Sequence, residues 1–277
     1  MGIRINTNVQ SLAAQRALGE VKKGQDAALE KLASGSRINR ASDDAAGLAI
    51  SENLKADIRG SQQAKRNASD GISMIQVAEG GMNEISNILV RLRELSVQAA
   101  SDTVGDKERK FTDLEFQQLT NEIERISQST DFNGTKLLNG EGSLKEFQVG
   151  IGNDEFADRI SFDPAQINVL GSELGVAGLA VSSKEGAQEN LTAIDTALDK
   201  VSGNRAVLGA LQNRLNSTVT NLEVKTENLS AANSRIRDTD VASVSADLAK
   251  SNIMSAAGTS VLAQSNNSNM SALKLIG

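Results

Sequence analysis

The most regular hydrophobic pattern of this 277-residue chain lies in its C-terminal third, where an aliphatic residue recurs at every seventh position. The seven positions are Ile194, Val201, Leu208, Leu215, Leu222, Leu229 and Ile236. A heptad repeat sustained over so many turns predicts a long helix that buries one seam against another long helix. We place this helix at about residues 190–234.

A matching apolar seam lies in the N-terminal half of the chain. Its two registers are Ile75, Met82 and Leu89, and Ala78, Ile85, Leu92 and Ala99. Helical periodicity runs from about residue 43 to 100, which corresponds to a helix of roughly 85 Å. Glycines at 60, 71, 80 and 81 are predicted to bend it. We predict that the two seams pack within one chain and also between copies.

The middle of the chain has a different character. A third helix is predicted over about 107–129, and Asn-Gly pairs at 133–134 and 139–140 then mark turns. Strands are predicted at 135–138, 144–149 and 159–162, and Asp163-Pro164 suits the start of a short helix. The predicted fold is therefore mainly α, a long antiparallel, coiled-coil-like rod with a small β-hairpin-containing cap at about 131–186.

The two ends of the chain form a separate group of segments. Residues 1–42 read as an imperfect amphipathic helix, and 240–277 as a helix with few charges. The aliphatic residues of the N-terminal segment are too few to offset the conformational entropy of ordering it. We expect both segments to be disordered in the monomer and to become helical when many copies assemble, around a rod domain at 43–239.

Composition excludes several functions. The chain has no His and no Cys, which removes the commonest general base, the usual transition-metal ligands and the thiol nucleophile. Its net charge of −6, with both signs interspersed, argues against a nucleic-acid groove. No signal peptide, myristoylation motif or membrane-spanning run is expected. We predict no enzyme activity, no cofactor and no metal.

The remaining polar motifs have structural interpretations. Ser42 or Asp43 is predicted to cap the following helix, with Asp44 in its first turn. Asp238-Thr-Asp240 lacks the further oxygen ligands of a calcium loop, so a turn between helices is predicted. Gly80-Gly81 is not followed by the Lys-Ser/Thr of a phosphate loop.

Two stretches of the sequence carry a resemblance to a known family. One is 32–50 (LASGSRINRASDDAAGLAI), and the other is 205–215 (RAVLGALQNRL) continued by 227–240 (ENLSAANSRIRDTD). Both closely resemble the terminal regions of bacterial flagellins, as do Ile5-Asn-Thr-Asn8 and Asp131-Phe-Asn-Gly134. The chain departs from the family pattern at its end, where a Gln-rich stretch with a Pro is missing, and at Val244, where a Glu is often found.

The resemblance implies a structural subunit that self-assembles into the flagellar filament for motility. It implies secretion in an unfolded state by a type III apparatus, pairing of the terminal segments as the filament core, and a homopolymer outside the cell. Expected partners are an export chaperone, the filament cap and hook-junction proteins. Because the insert between the two halves is short, the chain resembles a minimal flagellin without large outer domains.

The resemblance also implies recognition by a Toll-like receptor of the innate immune system. The residues that match the family's receptor site are Arg91, Leu95 and Glu115. From the residues alone, the same positions suit an ordinary solvated helix face.

Two other functions stay open from the sequence. One is a hook–filament junction protein, which shares the terminal helices. The other is a type III secreted coiled-coil effector or adhesin that binds a host protein, which would not need self-complementary ends.

Overall fold

The computed structural model describes residues 7–273, and this part of the chain is mainly α-helical as predicted. The long helices are α1 (Val9–Ser34), α2 (Ala45–Ala99), α3 (Asp106–Ser129), α5 (Lys184–Arg237) and α6 (Val241–Leu273). A short helix, α4, spans Gly171–Leu174. Four short strands complete the fold: β1 (Asp131–Phe132), β2 (Thr135–Lys136), β3 (Lys145–Gln148) and β4 (Arg159–Phe162).

The chain divides into two compact units. Unit 1 contains the described residues up to Asp57 and those from Asn228 onward, and unit 2 is the intervening segment Ile58–Glu227. Helices α1 and α6 therefore belong to unit 1, and the strands belong to unit 2. This boundary lies inside α2 and α5, not at the ends of the terminal segments that the sequence predicted.

The core of unit 2 is a continuous cluster of buried apolar side chains. It includes the seam of α2, the heptad positions of α5 as far as Leu215, Phe116 and Ile123 of α3, and the interior side chains of the cap. Three ion pairs join the flanks of α2 and α5: Lys65–Glu223, Glu79–Arg205 and Arg93–Asp195. Because the residue number falls on one helix as it rises on the other, the two helices run antiparallel within this unit.

Gly60, Gly71 and Gly81 of α2 allow close approach of the cap, whereas nothing described lies within 4 Å of a Cβ at Gly80. A Cβ at Gly60 would lie 2.9 Å from Ile151, and one at Gly81 would lie 2.8 Å from Leu138 and from Thr130. The cap therefore packs directly on the backbone of α2. Helix α2 is continuous from Ala45 to Ala99, and the bends predicted at its glycines stay a prediction.

The cap consists of two antiparallel hairpins. In the first, Asp131 pairs with Lys136 around an Asn133-Gly134 turn, and in the second β3 pairs with β4. The strand at 159–162 is as predicted, whereas the one predicted at 135–138 ends at Lys136. Leu137 and Leu138 follow the strand and are fully buried in the core of unit 2, and the Leu137 N–H still donates to the carbonyl of Thr130 at 3.3 Å. Asp163 caps the 3-10 turn Pro164–Gln166, as the sequence predicted.

Candidate assembly surfaces

The predicted packing residues in unit 2 form one dry seam. Their side chains are fully buried, apart from Leu222, which keeps a small exposed fraction. They are Ile75, Met82, Ile85, Leu89 and Leu92 on α2 and Ile194, Val201, Leu208, Leu215 and Leu222 on α5. Each side chain already has its partners within the chain, so this seam is not available as a surface for another copy.

The last two heptad positions differ from the others. Leu229 and Ile236 lie in unit 1 and are only half-buried. Polar contacts occupy this end of α5: Ser51 donates to Asn233 at 2.8 Å, and Arg237 pairs with Glu52. Hydrogen bonds and an ion pair thus contribute here alongside the apolar contacts.

The loop before α2 is held by backbone contacts and two capping carboxylates. The Arg37 guanidinium donates to the carbonyl of Ile236 at 2.7 Å, and Asp43 accepts from the N–H groups of Asn39 and Arg40. Those two bonds lower the pKa of the Asp43 carboxyl. Asp44, not Ser42 or Asp43, accepts from the N–H of Gly47 as the helix begins, because the carboxylate of Asp43 is already engaged.

Hydrogen bonds between polar side chains link helices α1 and α6. Asn8 donates to the carbonyl of Ser265, Ser11 donates to Asn266, and Gln25 donates to Asn252, at distances of 2.7–3.0 Å. These pairs set an antiparallel alignment. Among side chains described in the two helices, only Ser11, Ala28 and Ser265 are buried.

Seven large apolar side chains of this helix pair lie in solvent, whereas others, such as Leu18, Val21 and Leu248, are half-buried. Exposed large apolar residues of the two helices are Val9, Leu12, Leu29, Val241, Ile253, Met254 and Val261. Ile253 has 71% of its surface exposed. A groove of about 510 Å³ runs between the helices, with Ala17, Val21 and Met254 among its lining residues. These exposed side chains are candidates for contacts between copies.

The residues predicted for receptor contact lie where α2 and α3 meet. Arg91 donates to Glu94 and to Glu115, each at 2.9 Å, and these bonds raise the pKa of the Arg91 guanidinium. Arg91 and Glu115 are exposed. The side chain of Leu95, in contrast, has 2% of its surface exposed and belongs to the core of unit 2. A direct contact to Leu95 would require this core to open.

Unpredicted features also lie on unit 2. Phe111 and Leu114 are exposed on α3, close in sequence to Glu115, and Phe156 at the end of the β3–β4 hairpin has 87% of its surface exposed. Nothing in the hydrophobic period of α3 distinguished its exposed from its buried apolar residues. A Phe within Asn153-Asp-Glu-Phe156, flanked by acidic residues, is the signal that could have marked the hairpin.

The corner between α2 and α3 is held by a buried cation that sequence reasoning also missed. Arg109 donates to the carbonyls of Ala99 and Ser101 at 2.9 and 3.0 Å, and it pairs with Asp106. The guanidinium therefore satisfies carbonyls at the C-terminal end of α2, where the helix dipole favours a positive charge. The sequence signal for this role is the spacing of three residues between Asp106, at the start of α3, and Arg109.

No cofactor or metal site is evident in the part of the chain that the structure describes. Across residues 7–273, no three His, Cys, Asp or Glu side chains converge as metal ligands would. Asp240 accepts from the N–H groups of Ala242 and Ser243 and so caps α6, as expected for a turn. No helix within the same range is both long and apolar enough to cross a membrane.

Both helical halves of the chain match models of a known protein family. The model of the bacterial flagellin N-terminal helical region matches residues 5–143, and that of the C-terminal helical region matches residues 191–276. The flagellin of Halalkalibacterium halodurans is 44% identical over 98% of this chain and 99% of its own length. The flagellin of Bacillus subtilis is 39% identical over 99% of this chain and all of its own length.

A solved structure has a related fold. The crystal structure of Bacillus cereus flagellin has a TM-score of 0.51 at 29% identity, and the match covers 61% of this chain and 94% of that one. The sequence matches extend over nearly the whole chain. On this evidence, the chain belongs to the bacterial flagellin family.

Proposed function

We propose that this chain is a structural subunit of the extracellular bacterial flagellar filament and that it acts by self-association. Membership of the flagellin family makes it a structural protein and not an enzyme. The observation that carries the proposal is the apolar surface of α1 and α6, which a single copy leaves in water. Burial of such surface between copies is the main favourable contribution to association.

Unit 2 carries two separate exposed apolar patches that could take part in assembly. Ile151 packs on α2 at Gly60, near one end of the unit, whereas Glu115 meets α2 at Arg91. These places are separated by about 46 Å along the helix. Phe156 lies on the hairpin that carries Ile151, and Phe111 lies on α3 near Glu115. If unlike patches such as these meet between copies, the contact is heterologous, and its repetition gives a ring or an open helical filament according to whether the rotation closes.

Electron microscopy of purified protein seeded with filament fragments tests this proposal. A filament subunit should extend the seeds into long filaments. A junction protein should add only a few copies, so filament length separates this alternative. Protein that stays monodisperse under every seeding and salting-out condition would contradict self-assembly.

The alternative of a secreted effector or adhesin is separated by deletion. Removal of residues 241–277 should abolish assembly by a filament subunit, because it removes α6 and its exposed apolar side chains. An effector that binds through unit 2 should keep its activity. The full-length family matches to flagellins favour the filament subunit.

We also propose the export route and the auxiliary partners that the family resemblance implies. The chain would leave the cell unfolded through a type III apparatus, with an export chaperone, and would assemble against hook-junction and cap proteins. Its terminal segments would be disordered until they pair in the filament core. The sparse burial along α1 and α6 supports this, since only Ser11, Ala28 and Ser265 among the described side chains of the two helices are buried.

Finally, we propose that a Toll-like receptor recognises the face around Arg91 and Glu115. Both are exposed and charged, and they are joined by a hydrogen-bonded ion pair. Arg91→Ala should weaken activation in a receptor reporter assay, whereas Arg125→Ala, which also breaks an exposed ion pair on α3, should not. Equal responses from both variants would contradict the assignment.

The proposed role of Leu95 is now indirect. Because its side chain packs in the core, Leu95→Ala should lower the stability of unit 2 as well as receptor activation. Urea unfolding of the variant, measured beside the reporter assay, distinguishes this role from direct contact. Lost activation with unchanged stability would favour direct contact.

A further inference from the structure

Two Asn-Gly pairs lie in the cap, and the structure gives them different surroundings. Asn133-Gly134 forms the turn between β1 and β2, with positive φ angles of 49° and 75°. Asn133 is exposed, and its carboxamide makes no hydrogen bond to any residue within the described range. Nothing described lies within 4 Å of the position that a Cβ on Gly134 would take.

The second pair, Asn139-Gly140, is held at several points. The Asn139 carboxamide donates to the Glu141 carboxylate at 2.9 Å and accepts from the Glu141 N–H at 3.1 Å. A Cβ on Gly140 would lie 2.7 Å from the Asn168 side chain, so this backbone is closely packed. Asn139 also forms an isolated bridge with Asn168.

This contrast matters because Asn-Gly is the sequence in which intramolecular deamidation is least hindered. The backbone nitrogen of Gly loses its proton and attacks the Cγ of Asn, and the carboxamide nitrogen leaves as ammonia. Water then opens the cyclic succinimide to aspartate or isoaspartate. The reaction needs no oxidant and no cofactor, and the missing Cβ of glycine leaves the approach to Cγ open.

We propose that Asn133 is a site of spontaneous deamidation and that Asn139 is protected by Glu141. To react, the carboxamide must rotate toward the nitrogen of the following glycine. Asn133 loses no hydrogen bond in this rotation, whereas Asn139 loses two. Strands β1 and β2 have two residues each, and so short a hairpin opens easily to the reactive conformation.

The product would change the hairpin in two ways. A new carboxylate would lie two residues from Asp131, whose ion pair with Lys136 spans 3.6 Å across the hairpin. Isoaspartate would also lengthen the backbone within a two-residue turn. Because β2 leads directly into the buried Leu137 and Leu138, we expect the modified chain to unfold at a lower urea concentration.

The test is peptide mapping by mass spectrometry during incubation of the full chain at mildly alkaline pH. A mass gain at residue 133 should appear at least about tenfold faster than at residue 139, given the two hydrogen bonds lost at the latter. An isoaspartate-specific methyltransferase should label the same peptide. Deamidation at equal rates, or first at Asn139, would overturn the proposal.

Variants at Glu141 make the test independent of the general reactivity of the two turns. Glu141→Ala removes the acceptor of the Asn139 carboxamide and should speed deamidation at residue 139 several-fold, with no change at residue 133. Glu141→Gln keeps an acceptor oxygen and should leave residue 139 protected. If Glu141→Ala leaves residue 139 unchanged while circular dichroism shows the fold intact, the protective role of Glu141 is wrong.

Discussion

Unit 2 and the helix pair of unit 1 use the same secondary structure but bury very different side chains. In unit 2 the aliphatic side chains of the α2–α5 seam are almost completely removed from water. In unit 1, hydrogen bonds from Asn, Gln and Ser side chains and half-buried aliphatic residues join α1 and α6, while seven large apolar side chains stay exposed. The comparison shows which part of the molecule is complete within one copy and which part is suited to assembly.

The largest effect expected from this comparison follows from removal of α6. A chain lacking residues 241–277 should lose seeded assembly entirely, while the thermal unfolding of unit 2 stays near that of the full chain. The reason is that α6 carries exposed apolar surface but no residue of the unit 2 core. Electron microscopy and circular dichroism measure the two properties. Filament growth by the truncated chain would contradict the division of roles.

The next effect distinguishes neighbouring residues on α5. Leu208 is fully buried, whereas Val207 has 61% of its surface exposed. Leu208→Ala should lower the free energy of unfolding by about 2–5 kcal/mol, because it leaves a cavity in the seam. Val207→Ala should change it by less than about 0.5 kcal/mol, as is usual for surface substitutions. Urea titrations of the two variants, with equal m-values, provide the measurement.

A substitution in unit 1 should weaken assembly without changing the stability of the monomer. Ile253→Ala should leave the unfolding of the monomer almost unchanged, because this side chain is largely exposed. If assembly buries it, the loss of about 1.5–3 kcal/mol should raise the critical concentration for polymerisation about tenfold or more. Sedimentation of seeded samples measures this concentration. An unchanged value would place Ile253 outside the interface.

The heptad period predicted the seam because that signal depends only on helix geometry. It extended the buried seam to two further positions of α5, Leu229 and Ile236, whose apolar side chains are only half-buried. At this end of the helix the contacts are made by Ser51 with Asn233 and by Arg237 with Glu52. The spacing of apolar residues predicts which of them share a helix face, but it does not predict which side chains pack against that face.

Other features depend on tertiary contacts that the sequence pattern does not contain. The buried position of Leu95 follows from the packing of α2 in the unit 2 core. The role of Arg109 follows from the carbonyls of Ala99 and Ser101 at the preceding corner. The resemblance to flagellins named Leu95 as a contact, and the structure changes how we expect it to act.

The smallest expected effect concerns pH. The hydrogen bond from Lys184 to Asp102 lowers the pKa of the Asp102 carboxyl. Since the folded pKa lies below the unfolded one, the pair contributes stability above the unfolded pKa, and this contribution is lost as pH falls through the folded pKa. Asp102→Asn should therefore slightly lower the urea midpoint at neutral pH and leave it unchanged in strong acid.

A matched control for the pH prediction lies on α5. Asp199 is exposed and forms no ion pair within the described part of the chain. Asp199→Asn should leave the urea midpoint unchanged at neutral pH. If Asp102→Asn has no larger effect than this control, the contact with Lys184 contributes nothing measurable.

Hydrogen exchange, compared between monomer and filament, tests most directly whether assembly completes the terminal helix pair. We predict that amides of α1 and α6 exchange quickly in the monomer and slowly in the filament, whereas amides along the unit 2 seam exchange slowly in both. Terminal helices that are already as well protected in the monomer as the seam of α2 and α5 would contradict the account.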